Sequence, residues 1–77
     1  MEDPCKLYKS QYKKAKEALE ILEKHQTEIE QKLETDHINS DLHKELRNVN
    51  MEIKITQNEI EHAEYSISKC ESNHTLQ

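Results

Sequence analysis

A hydrophobic rhythm runs for four heptads, stops for eight residues and resumes for four more, and this restricts the fold more than any other feature. Cys5, Tyr8, Tyr12, Ala15, Leu19, Leu22, Gln26, Ile29 and Leu33 recur at alternating intervals of three and four. Leu42, Leu46, Val49, Ile53, Thr56, Ile60, Ala63, Ile67 and Cys70 do the same after the gap. A mean spacing of about 3.5 residues keeps one stripe of a helix facing a partner helix, so each run predicts a coiled-coil seam.

Folding the chain about a point between His37 and Ile38 pairs every seam residue with one whose number brings the sum to 75. Nine layers result: Cys5 with Cys70, Tyr8 with Ile67, Tyr12 with Ala63, Ala15 with Ile60, Leu19 with Thr56, Leu22 with Ile53, Gln26 with Val49, Ile29 with Leu46, and Leu33 with Leu42. Both alanines meet large partners, which evens the layer volumes as knobs-into-holes packing requires.

Antiparallel helices set e positions beside e and g beside g. That rule pairs Lys9 with Glu64, Lys16 with Gln57, Glu23 with Asn50 and Glu30 with His43 on one side. On the other it pairs Gln11 with Ser66, Ala18 with Glu59, His25 with Glu52 and Lys32 with Glu45. No pair is of like charge, which favours this orientation and register.

The gap, Thr35 to Asp41, consists of residues from the weaker half of the helix scale. Asn39, Ser40 or Asp41 can cap the second helix, and Asp3 before Pro4 reads as the cap and opening residue of the first. The expected fold is all-α: a single antiparallel coiled-coil hairpin over residues 1–77, with a first helix at about 4–35, a turn at 36–40, a second helix at 41–72 and a loose tail at 73–77. A continuous helix paired with a second copy satisfies the same sum, so a domain-swapped dimer or a larger self-associated bundle is the competing form.

Composition narrows the function. With 32% hydrophobic residues, three Tyr, and neither Phe nor Trp, the chain lacks the apolar mass for a thick core or a large substrate pocket. It has no Gly-rich phosphate loop and no nucleophile motif, so we expect no enzyme, no cofactor and no small-molecule substrate. A formal charge of -5 argues against nucleic acid, leaving the Lys6, Lys9, Lys13, Lys14 and Lys16 run as a remote route to phosphate binding. The sequence contains no stretch of eighteen apolar residues, so no membrane insertion is expected. Two cysteines are too few for a secreted disulfide framework, and the expected location is cytoplasmic.

Two groups of residues remain as candidates. Leu7, Ala18, Ile21, Met51 and Ile55 are apolar but lie off the seam, at c, g, c, f and c, and they read as a partner-binding surface shared by both helices. Cys5 and Cys70 form the terminal layer and can approach closely enough for a disulfide. Cys70, His74 and Cys5 offer three soft ligands without a fourth, so no metal site is assigned.

The expected function is therefore a non-enzymatic protein-protein interaction or assembly module, acting on a protein partner or on its own copies. In outline the paired helices resemble the antiparallel finger domains that bind Rho-family GTPases, and they are similar to the helical tubulin-binding cofactor A proteins. This likeness is one of shape over most of the chain and carries no functional residues across. It implies, as the alternative function, an effector- or chaperone-type binder of a small GTPase or tubulin.

Overall fold

A computed structural model describes residues 5–75, with side chains described for 5–72. It is an antiparallel two-helix hairpin: α1 spans Lys6–Thr35 and α2 spans Ser40–Thr75. The chain closes on itself into a rod of 59 × 17 × 13 Å. Helix α2 continues past the expected end near Ser72, and the expected cap at Asp3 and Pro4 lies outside the described residues.

A turn without glycine needs a backbone that avoids positive φ, and none of the described residues has positive φ. The Asp36 amide donates back to the Lys32 carbonyl at 3.1 Å, ending α1, and the Asn39 amide donates to the Asp36 carbonyl at 3.2 Å, closing a four-residue turn. Asn39 then works in both directions. Its Nδ2 donates to Asp36 Oδ2 at 2.9 Å, while its Oδ1 accepts the Leu42 amide at 3.1 Å as the N-cap of α2. Of three residues able to cap, Asn39 is the one whose amide can hold a carboxylate behind it and an amide ahead.

His43 was expected beside Glu30 across the seam, but its Nε2 lies 2.7 Å from the His37 carbonyl and fastens the turn instead. This locks a residue of the first turn of α2 onto the chain entering it. We expect Asn39→Ala to cost about 1 kcal/mol, lowering the melting temperature by several degrees, and Asn39→Asp to retain most of the cap. Thermal melts of the two variants, both coincident with wild type, would deny the cap any weight.

The Cys5–Cys70 layer closes as the sum of 75 pairs it, but the two ends of the seam are unlike. Next to the turn, Ile29, Val49 and Ile53 are buried, and Leu19, Leu22, Leu33, Leu42 and Leu46 pack against them as one apolar cluster. Towards the termini the buried side chains are Ala15, Ile60, Ala63 and Cys5. Tyr8, expected in the seam, leaves 37% of its surface exposed, and Tyr12 is half-buried with Lys16 Nζ 5.9 Å from its ring centroid. A phenol keeps its hydroxyl wet, and two helices alone cannot enclose so large a ring.

Both polar seam residues are satisfied. Thr56 Oγ1 donates to the Glu52 carbonyl at 2.8 Å, one turn back. Gln26 turns its amide away from Val49, and its Nε2 donates to Asn50 Oδ1 at 2.7 Å across the helices. No buried side-chain nitrogen or oxygen among the described residues lacks a partner. These bonds offset much of the desolvation cost of placing polar groups at a and d.

Candidate interaction surfaces

The five candidate residues all face solvent. Leu7 is 65% exposed, Ile21 70%, Met51 58% and Ile55 51%, and Ala18 is exposed as well. At roughly 100° per residue a c position points about 130° away from the direction of the partner helix, so c residues form the outer shoulders of the rod. Ile21 and Ile55 lie at one level, because their numbers add to 76, but on opposite shoulders. The g line runs between them, carrying Ala18 from α1 and Glu52 from α2 at nearly that level.

The surface is thus two apolar shoulders separated by a partly acidic strip, and not one continuous apolar patch. Met51 and Ile55 are four apart on α2 and extend one shoulder together. Leu7 stands apart, fourteen residues from Ile21, or about 21 Å along α1 at 1.5 Å per residue.

Two further exposed side chains escaped the reading of the sequence. Tyr65 is 64% exposed at an f position, with Lys69 Nζ 5.7 Å from its ring, and the criterion that selected Met51 would have selected it. Ile38 is 82% exposed at the tip of the hairpin. Its position in a helix-poor segment was legible, but its outward orientation depends on the turn bonds of Asp36 and Asn39.

At the terminal end Cys5 and Cys70 are joined by a disulfide, with Cα atoms 5.9 Å apart. Cys5 is buried and Cys70 half-buried. The bond occupies both thiols that a soft-metal site would have needed, and the His74 side chain lies outside the described residues. Among the described residues no group of three His, Cys, Asp or Glu side chains is placed to hold a metal ion.

The flanking charges keep the expected sides but shift their partners by one heptad. Lys9 Nζ meets Glu71 at 3.4 Å where Glu64 was expected, and His25 Nε2 meets Glu45 at 2.8 Å where Glu52 was expected. Side chains at e and g stand between layers, so each can reach either of two partners seven residues apart. All four are well exposed and contribute little to stability. Of the lysine run, Lys9 is committed to Glu71 and Lys16 lies near the Tyr12 ring.

Where the seam carries Ala15 and Ala63 the g side opens into a groove of about 550 Å³, walled by Gln11, Lys14, Glu59, His62 and Ser66. It arises because two small residues occupy neighbouring layers. Its surface is mostly apolar, although polar and charged side chains border it, and it is open to solvent.

No helix among the described residues is long and apolar enough to cross a membrane. Comparisons with protein families, with curated proteins and with solved structures found no match to this chain.

Proposed function

We propose that this chain is a non-enzymatic interaction module, a helical rod that presents its apolar shoulders to a protein partner in the cytoplasm. The observation that carries the reading is the exposure of Leu7, Ile21, Met51 and Ile55, each with more than half its surface in water although the seam could have absorbed none of them. Four large apolar side chains off the seam of so polar a rod mark a surface with a use. A partner that grips both shoulders at the level of Ile21 and Ile55 would straddle Ala18 and Glu52.

The same geometry weighs against a bundle of hairpins packed through this side. Glu45, Glu52 and Glu59 occupy consecutive g positions of α2, in the middle of the face that a second rod would cover. Glu45 is met by His25, but Glu52 and Glu59 would need cations from the second rod to be buried without a large desolvation cost. A heterologous partner with basic or polar groups between apolar anchors suits the surface better.

Paired Ile21→Glu and Ile55→Glu substitutions test the proposal. Both sites are exposed, so folding stability should change by no more than about 0.5 kcal/mol. Affinity capture from a lysate should recover partners with wild type that the double variant loses, and nucleotide-loaded GTPases and tubulin presented separately would identify the alternative function. Equal recovery by both proteins would remove these residues from any binding role.

A further inference from the structure

We infer that the Cys5–Cys70 disulfide is a conditional staple whose reduction opens the terminal half of the hairpin while the half beside the turn stays closed. This reaches beyond the proposed partner surface and does not depend on it. The starting point is how unevenly the rod is held together. The apolar cluster of Ile29, Val49 and Ile53, with its surrounding leucines, lies wholly between the turn and the Leu19 layer. The cross-helix bonds from Gln26 to Asn50 and from His25 to Glu45 fall in that same half.

Beyond Ala15 the seam thins. Tyr8 and Tyr12 stay partly in water, two alanines occupy neighbouring layers, and a groove opens beside them. The ion pair between Lys9 and Glu71 is exposed and offers weak support. The disulfide therefore sits where apolar burial is least able to hold two helices together.

The chemistry is thiol–disulfide exchange with a dithiol reductant. One thiolate of the reductant attacks Sγ of Cys70, the less buried of the two residues, forming a mixed disulfide. The pair of electrons from the broken bond leaves on Cys5 Sγ, which takes a proton from water. The second thiol of the reductant then attacks its own sulfur in the mixed disulfide, releasing Cys70 as a thiol and leaving the reductant as a cyclic disulfide. The protein gains two thiols and the reductant loses two, so electrons and protons balance. Opening would bare the seam faces of Tyr12, Ala15, Ile60, Ala63 and Ile67 to water or to a ligand.

Amide hydrogen exchange read by mass spectrometry tests this, comparing the oxidised chain, the chain with excess dithiothreitol, and the Cys5→Ser/Cys70→Ser variant. In the last two, exchange of amides in residues 6–15 and 60–72 should accelerate by a factor at least tenfold larger than that of amides in 22–33 and 42–53, which lose only the protection set by the overall fall in stability. The variant separates loss of the bond from any other effect of the reductant. Unchanged protection at the termini would show that the seam holds without the bond. An equal acceleration along both helices would show that the two halves open only together, and either result overturns the local staple.

Discussion

Replacing Cys5 and Cys70 together by serine should lower the stability of the oxidised hairpin by about 4 kcal/mol, with a fall in melting temperature of about 20 °C or more. The bond joins residues 65 apart, so it closes almost the entire chain into one loop. Its main effect is on the unfolded ensemble, where a long loop excludes many conformations, and the cost of losing it grows only with the logarithm of loop length. A two-helix rod has little in reserve, since a chain of this size buries a smaller fraction of its surface than a larger domain. Chemical denaturation of oxidised wild type and of the serine variant measures the difference directly. Equal midpoints would mean that the cross-link restrains nothing that the helices do not already restrain.

The second large effect is expected at Ile29, which retains 2% of its surface and lies at the centre of the turn-end cluster. Ile29→Ala removes three heavy atoms from the best-packed layer and should cost about 2–5 kcal/mol, whereas Ile29→Val should cost about 0.5–1.5 kcal/mol. Tyr8 occupies a seam position too, but it is 37% exposed, so truncating it to alanine should cost distinctly less. Equilibrium unfolding of the three variants gives the order. A Tyr8 variant weaker than the Ile29→Ala protein would reverse our assignment of which half carries the stability. Combined with loss of the disulfide, Ile29→Ala should leave little folded protein, because it empties the centre of the apolar cluster in a hairpin whose terminal layers rest on alanine, threonine and partly exposed tyrosine.

These expectations rest on features that were not equally legible. The seam could be read from spacing alone, because a and d residues meet whatever lies at the same level on the facing helix, and level is set by a constant rise per residue. The terminal cysteine layer comes from the same arithmetic, and the structure joins its two sulfurs. Apolar residues off the seam were legible only in part, since Tyr65 and Ile38 join the five that spacing singled out. Their arrangement follows from helix geometry, which sets Ile21 and Ile55 at c positions on opposite shoulders with the g line, including Glu52, between them.

The linear order of residues determined the pairing of the two halves: a two-residue-type code repeated at 3.5 positions leaves one antiparallel register in which every layer is occupied. Only the folded molecule decided how each flexible group used its freedom. Asn39, and not Ser40 or Asp41, became the cap because its amide could also reach Asp36. Lys9 and His25 chose partners a heptad away, and Gln26 left Val49 for Asn50. Tyr8 and Tyr12 kept contact with water, which left the end of the rod thin where the disulfide lies. Helix rise is a property of the backbone and can be counted in advance, whereas long polar side chains have several partners of similar energy within reach, and the choice among them is made by the surroundings that the fold creates.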